Sequence, residues 1–251
     1  MINIKNDYKI VSNRPLTRKT WVMTLRGDTQ AITAPGQFVN VAIPGKYLRR
    51  PISICDFSHE RGEIVLLYDV VGEGTLAMSK MKEGEIVDLL SGLGNGFSTT
   101  SVGTRPLLLG GGIGCAPLLN LGRALVRAGK QPIAILGYNT AADSFGMDRW
   151  FDEIGVEAFI ATVDGSLGTK GFVTDVIKRF GIDGDYFHAC GPMPMLRALC
   201  TSLDIPGEVS IESRMGCGFG ACVCCSVETA DGVKRICKDG PVFKKEELIW
   251  K

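Results

Sequence analysis

Histidine is nearly missing from this sequence, with two in 251 residues. Hydrolases and zinc enzymes that work through imidazole have little to build with here, so those classes recede. An excess of one charge is missing too: 28 Lys and Arg stand against 27 Asp and Glu, for a net +1. So weak a field gives no footing on nucleic acid. No apolar run reaches the roughly 18 residues that a membrane-spanning helix needs. The start, Met1 to Tyr8, is polar and holds no apolar core of a secretory signal. Nine cysteines without an export signal point to a reducing, cytoplasmic compartment where thiols hold metals or lie buried.

What is present is an ordinary globular composition, 45% hydrophobic and 22% charged, with 32 glycines gathered into compact motifs. Such clustering reads as cofactor loops and not as disorder. The length allows more than one core. The densest stretch runs from Glu212 to Cys225 and has Cys217, Cys222 and Cys225 in the pattern C-x4-C-x2-C, with Cys237 as a possible fourth. That is the plant-type spacing for a [2Fe-2S] cluster, two thiolates to each iron. Gly216, Gly218 and Gly220 give the backbone the tight turns a cluster loop requires and leave amides free to face sulfur. Cys224 adjoins Cys225, and neighbouring side chains point different ways. Cys225 is favoured because it completes the x2 spacing. A zinc knuckle or a disulfide staple are the alternatives, but zinc sites usually pair two C-x2-C arms, which the x4 gap fits poorly.

From Tyr8 to about Leu90 short strands alternate with turn signals. Candidates are Tyr8–Val11, Trp21–Leu25, Phe38–Ile43, Arg50–Cys55, Glu63–Val70 and Glu85–Leu89, with a short helix at Thr75–Met81. Short, regular β segments of this kind predict a closed antiparallel barrel. Two spots in it carry chemistry. In Arg50-Pro51-Ile52-Ser53 a guanidinium can make charge-assisted bonds to phosphate, beside a fixed proline φ and a hydroxyl. In Gly72-Glu73-Gly74-Thr75 two glycines and a threonine at a helix start form a small anion nest. Each has a bland reading as well, surface charge for the first and a β-turn with an N-cap for the second. Tyr68, in the strand before the second motif, is counted with the cofactor-binding candidates.

Further along, Leu107–Leu109 reads as a buried strand. Gly110, Gly111, Gly112, Ile113, Gly114, Cys115, Ala116 and Pro117 follow, and then an amphipathic helix at Leu118–Ala128 stopped by Gly129. Strand, glycine-rich turn and helix form the nucleotide-binding arrangement, with backbone N–H groups brought to a pyrophosphate. Pro117 is read as an early-helix residue, where a missing N–H costs nothing. Strands are expected at Ile133–Tyr138, Glu157–Thr162, Tyr186–Cys190 and Glu208–Ile211, and helices at Trp150–Ile154, Phe172–Phe180 and Pro194–Thr201. No arginine cluster for a 2′-phosphate follows the second of these strands counted from Leu107, which favours NAD weakly over NADP. Asp143, Asp164 and Ser166 are candidates for the adenosine half, though turn chemistry explains the last two equally well. Cys190 and Gly191 sit at a strand's carboxyl end, where an open α/β sheet presents its ligands, and Cys190 is placed near the nicotinamide without a nucleophilic role. The remaining piece reads as a hairpin, Ser226–Glu228 with Val233–Cys237, then an extended run to Phe243 and a helical turn at Lys245–Ile249. It is too small to bury a core unaided, so a bound cluster is expected to hold it together, shielded by Phe219, Val223 and Val227.

Taken in order, these motifs resemble the electron-transfer subunits of the NAD-dependent, type B dihydroorotate dehydrogenases, within the ferredoxin–NADP reductase superfamily. The resemblance covers nearly the whole chain. It implies a reductase-like FAD-binding barrel over residues 1–101, an NAD-binding α/β domain over 102–211 and a small [2Fe-2S] subdomain over 212–251. Arg50, Pro51, Ile52 and Ser53 match the flavin motif, and Gly72, Gly74 and Thr75 the FAD phosphate motif. Gly110 to Pro117 and Cys190-Gly191-Pro192-Met193 match the nicotinamide-cofactor motifs, and Cys217, Cys222, Cys225 and Cys237 the four cluster ligands. Cys224 departs from the family, which often has glycine there. The implied function is to carry electrons from an FMN-bearing, dihydroorotate-oxidising partner through the cluster and FAD to NAD+, in pyrimidine synthesis, within a heterotetramer of two chains of each kind. No general base is expected on this chain, since proton abstraction belongs to the partner. The competing readings are an NAD(P)H-linked reductase serving a glutamate synthase, sulfide or sulfite enzyme, a redox sensor or scaffold, and a zinc protein with a defunct nucleotide fold.

Overall fold

The computed structural model of the protein describes residues 4–100 and 102–250. Residues 1–3 of the polar start, residue 101, where the barrel domain was expected to end, and residue 251 lie outside the described residues. By backbone proximity the chain forms two compact units. The first runs to Gly96 and takes in Glu212–Glu228 and Gly232–Pro241; the second comprises Phe97–Ile211, Thr229–Asp231 and Val242–Lys251.

The first unit contains the closed barrel anticipated from the strand spacing. Its strands are β1 (Ile4–Pro15), β2 (Thr20–Arg26), β3 (Phe38–Val41), β4 (Arg50–Ser58), β5 (Glu63–Asp69) and β6 (Ile86–Leu93), closing in the order β1-β2-β5-β4-β3-β6. Every neighbouring pair is antiparallel. Alternation drives the closure: Tyr8 and Ile10 of β1, Met23 and Leu25 of β2, and Ile64, Leu66 and Tyr68 of β5 turn inward onto one cluster with Val39, Val41 and Leu89. Burying each of these large side chains contributes about 1.5–3 kcal/mol. Bulges at Ile10/Ser12, Phe38/Asn40 and Ile54/Asp56 supply the bends that let six strands close. A helix, α1 (Glu73–Ser79), follows β5 and sends Met78 into the same core.

The second unit is a seven-stranded sheet flanked by helices. Its strands are β7 (Pro106–Gly111), β8 (Ile133–Tyr138), β9 (Glu157–Thr162), β10 (Thr169–Lys170), β11 (Tyr186–Cys190), β12 (Gly207–Ser210) and β15 (Val242–Lys244), in the order β10-β9-β8-β7-β11-β12-β15. All pairs are parallel except β12 with β15. Strands covered on both faces carry unbroken apolar runs, as at Leu107–Leu109. Helices α2 (Pro117–Arg127), α3 (Met147–Glu153), α4 (Val173–Phe180) and α5 (Met193–Ser202) complete it. Pro117 opens α2 in its first turn, and Gly129 leaves the helix region at φ +74°. At Gly122 a methyl group would lie 3.2 Å from both Leu108 and Phe151, so its absence brings α2 close to the sheet.

Two pieces near the end differ from expectation. The hairpin strands are β13 (Ser226–Thr229) and β14 (Gly232–Arg235), and Cys237 lies beyond them on a one-turn helix, α6 (Ile236–Asp239). The Asp239 carboxylate takes the Arg235 N–H at 2.7 Å and closes that turn. The helical turn expected at Lys245–Ile249 is instead a hydrogen-bonded turn with a bridge from Leu248 to Thr229. The extended run expected to reach Phe243 is present as the antiparallel edge strand β15, with Val242 and Phe243 buried; its long-range pairing with β12 is not announced by three residues.

One buried group of the second unit leads to a prediction. His188 on β11 is fully buried, ringed by Phe97 and Tyr186, and its Nδ1 stands 3.5 Å from a Glu208 carboxylate oxygen. Burial holds its pKa below 6.5, against the opposing pull of Glu208. Below about pH 6.5 the unfolded chain therefore takes up a proton that the folded chain refuses. The contribution to stability is complete above that pH and is lost as pH falls toward the folded value, at no more than about 1.4 kcal/mol per pH unit. The melting temperature should drop between pH 7.5 and 5.5. His188→Phe should flatten that part of the profile, and an unchanged slope would disprove the assignment.

Candidate functional site

In the first unit the two flavin motifs meet. Arg50 opens β4, and its guanidinium donates to the carbonyls of Leu48 at 2.6 Å and Arg49 at 3.3 Å. It then lies over Gly74, where a methyl group would be 2.2 Å from Arg50 Nε. Gly74 is glycine because a guanidinium occupies the space of its side chain. The Thr75 hydroxyl accepts the N–H groups of Val71 at 2.9 Å and Gly72 at 3.3 Å, which closes the start of α1. Pro51, Ile52 and Ser53 follow along β4, each half-buried, opposite Asn40, Val39 and Phe38 of β3. Gly72 is extended and open, with nothing within 4 Å of a methyl placed there. Tyr68 stands apart from this group. It points into the barrel interior, its hydroxyl donates to Asn13 Oδ1 at 2.9 Å, and burial raises its pKa to about 12. Sequence reasoning missed the flanking apolar residues. Tyr47 and Val71 are 101% and 82% exposed, and Leu48 and Leu76 are also exposed; Val71 and Leu76 flank the Gly72–Thr75 motif, and Tyr47 and Leu48 precede Arg50 by three and two positions. Large apolar side chains left in solvent beside a candidate anion nest are the available signal.

The cysteine segment belongs to the same unit. Cys217 and Cys222 form one pair, with the Cys222 N–H on the Cys217 sulfur at 3.4 Å; Cys225 and Cys237 form another, with the Cys237 N–H on the Cys225 sulfur at 3.4 Å. Among the described residues no three His, Cys, Asp or Glu side chains are drawn into one metal-sized group. Burial pushes the Cys217 thiol up, but the N–H groups of Cys222, Phe219 and Ala221 outweigh it and bring the pKa down to about 6. Burial, and then the neighbouring Cys225 thiol, push Cys237 up to about 12. The buried Cys237 thiol resists ionisation until a cation shares it, and Cys225 lies beside it, so this donor set fits a thiolate-bound metal centre. Gly218 and Gly220 take the left-handed conformation at φ +78° and +87°, as a wrapping loop requires. Cys224 is exposed and its sulfur faces the Arg214 carbonyl at 3.5 Å. Phe219 and Val223, expected as shields, are 45% and 76% exposed.

In the second unit the nucleotide motifs also meet. A methyl at Gly114 would lie 2.5 Å from the Cys190 carbonyl oxygen, and one at Gly111 would lie 2.6 Å from Met195 Sδ and 2.9 Å from Pro192. A methyl at Gly110 would press on Cys115, whereas Gly112, at φ +56°, faces open space. The loop at the end of β7 thus rests directly on Cys190 and Gly191 at the end of β11. At the ends of β8 and β9, Ser166 Oγ accepts the Ala141 N–H at 2.7 Å and donates to Asp164 at 2.6 Å. Asp143 is tied to Thr140 at 3.1 Å.

Residues 212–249 match the iron–sulfur cluster binding domain of dihydroorotate dehydrogenase B. Beyond that segment, the chain is 41% identical over 257 aligned positions to the dihydroorotate dehydrogenase B (NAD(+)) electron transfer subunit of Bacillus mycoides, covering 98% of each. This chain belongs to that family. It is an electron-transfer subunit and an oxidoreductase component. The corresponding subunit of Bacillus cereus strain 03BB102 is likewise 41% identical across 98% of both chains. Among solved structures, that of an NADH-dependent reduced ferredoxin-NADP oxidoreductase superposes with a TM-score of 0.87 at 30% identity, over 97% of this chain and 90% of the other. Phthalate dioxygenase reductase shares the fold at a TM-score of 0.64 and 22% identity, over 84% and 70%. No helix among the described residues is long and apolar enough to cross a membrane.

Proposed function

We propose that this chain takes electrons from an FMN-bearing, dihydroorotate-oxidising partner and delivers them to NAD+, using a [2Fe-2S] cluster and FAD. Bound FAD supplies the exchange between hydride pairs and single electrons, which neither the nicotinamide nor the cluster performs alone. The chain's own residues bind and place. Arg50 and Ser53 orient the flavin, and Pro51 and Ile52 hold that strand against β3. The nest at Gly72, Gly74 and Thr75 receives the FAD phosphates, with the Arg50 cation laid against it. Gly110, Gly111, Gly112 and Gly114 give backbone amides to the dinucleotide, while Cys190 and Gly191 wall the nicotinamide end. Cys217, Cys222, Cys225 and Cys237 hold the irons. Tyr68 acts by packing, as its hydroxyl is engaged with Asn13. Three functional segments, 1–101, 102–211 and 212–251, carry FAD, NAD and the cluster in turn. The working assembly is a cytoplasmic heterotetramer of two of these chains and two partner chains.

The observation that supports this reading is the contact of Arg50 with Gly74, which brings together two motifs of unrelated sequence position, as a phosphate cradle would need, on the unit that also bears the four thiols. The test is direct. The purified chain should hold FAD, iron and acid-labile sulfide, and NADH should bleach its flavin. Dihydroorotate should produce NADH only after the FMN-bearing partner is added. The likeness to a reduced ferredoxin–NADP oxidoreductase favours a second reading, a reductase for a different partner. A chain that co-purifies with another enzyme and shows no dihydroorotate-driven NADH formation would establish that reading instead.

A further inference from the structure

We propose that Asn40 is the positioning residue that fixes the cluster loop to the flavin barrel and sets how the Cys217–Gly218 peptide faces the iron site. This rests on the cluster reading above. Asn40 lies on β3, opposite Pro51 of the flavin strand and Leu90 of β6. It is 1% exposed. Its backbone carbonyl accepts Arg49 Nη1 at 3.2 Å, and Arg49 Nη2 is paired with Asp88 at 2.8 Å, so the residue is held from behind. Its side chain reaches across 177 positions of sequence to donate from Nδ2 to the carbonyl oxygen of Cys217 at 3.1 Å.

Two features separate this contact from ordinary packing. Among the described residues, the buried Asn40 Oδ1 accepts no hydrogen bond. An unsatisfied buried acceptor is costly, so an apolar side chain would fill the same space more favourably. What the amide adds is a donation to the carbonyl of a proposed iron ligand. The loop, for its part, is shaped to admit it. Gly218 has φ +78°, and a methyl there would stand 2.3 Å from Asn40 Nδ2. Glycine is required on both counts.

The other arm is gripped in a similar way. Gly94 leaves room for Pro241, whose Cδ would lie 2.6 Å from a methyl at Gly94, and the Asn95 N–H donates to the Gly240 carbonyl at 2.6 Å. The buried Gln37 side chain in turn holds the Gly94 carbonyl at 2.9 Å. The barrel therefore holds the segment just after Cys217 and again just after Cys237. Of the two grips, Asn40 touches a ligand residue itself. A peptide dipole is about 3.5 D, and its direction beside a cluster alters how easily the cluster takes an electron. With Asn40 donating, the negative end of the Cys217 peptide is turned toward the barrel and neutralised. Without it, that oxygen is left unpaired or swings, and both outcomes disfavour the more negative, reduced centre.

The experiment uses the holo chain with Asn40→Ala, Asn40→Asp, Gly218→Ala and the Asn40→Ala/Gly218→Ala double variant. It measures FAD and iron per chain, the cluster midpoint potential by EPR-monitored titration, and the rate of iron release to a chelator. Wild-type protein without iron would remove the cluster reading, and this proposal with it; iron in the wild type keeps the two questions apart. The expected result is unchanged FAD, a lower midpoint potential with Asn40→Asp lowest, and iron release faster by about tenfold, the low end for loss of an outer-shell partner. The double variant should be no worse than the poorer single, because both changes break one contact. Wild-type potential and release rate in iron-loaded Asn40 variants would overturn the proposal, as would simple additivity in the double. Should the Asn40 variants fail to fold, Gly218→Ala reports from the loop side, and a wild-type potential there overturns it equally.

Discussion

Serine at Cys225 or Cys237 is expected to strip the protein of iron while leaving its flavin in place. Both thiols are 1% exposed and share an N–H to sulfur contact. A serine hydroxyl is a far weaker ligand than a thiolate, and the thiol next to Cys225, that of Cys224, is exposed and turned to the Arg214 carbonyl. Loss of an outer partner alone weakens metal sites about 10–100-fold, so loss of a ligand should leave under about a tenth of the wild-type iron. The flavin motifs on β4 and α1 use none of these sulfurs, so FAD should stay near one per chain. Cys224→Ser supplies the contrast, because that thiol is exposed and turned to the Arg214 carbonyl. It should keep full iron. Iron and acid-labile sulfide assays with the visible spectrum decide the matter. Iron retained in Cys225→Ser and lost in Cys224→Ser would reverse the assignment.

Gly114→Ala should cripple the use of NADH with little effect on FAD. The added methyl would meet the Cys190 carbonyl oxygen at 2.5 Å and the Gly191 nitrogen at 2.7 Å. Both are backbone atoms at the end of a central strand, so no side chain can swing aside. The glycine loop must lift away from β11, at an overpacking cost of about 1–3 kcal/mol. The same lift carries the amides at Gly110 to Gly114 off the phosphates they are proposed to hold. An equal loss in dinucleotide binding raises KM for NADH by roughly 5–150-fold. Stopped-flow bleaching of the flavin against NADH concentration measures it, with melting temperature as the check on folding. A wild-type KM would show that the loop and Cys190 do not share one nucleotide site.

Much of the barrel and the parallel sheet was legible because period and turn chemistry are local. Tyr8 and Ile10 alternate with polar neighbours, Leu107–Leu109 forms a run fit for burial on both faces, and Pro117 and Gly129 bracket a helix. Legibility failed where long-range partners decide. The run to Phe243 was expected to be extended, but not to pair on the edge of β12, and Lys245–Ile249 forgoes a helix for a bridge to Thr229. Cys237 leaves the hairpin because a carboxylate two residues on closes a turn around it.

By itself the sequence determined the kinds of chemistry available: four thiols at cluster spacing, two glycine nests and almost no imidazole, since ligand type and spacing are written in consecutive residues. The tertiary structure alone decided which of these lie together. Arg50 lies on Gly74, Gly114 on Cys190 and Asn40 on Cys217 because sheet registers bring distant positions to the same place. The empty volume at each glycine has meaning only once the atom that fills it is known.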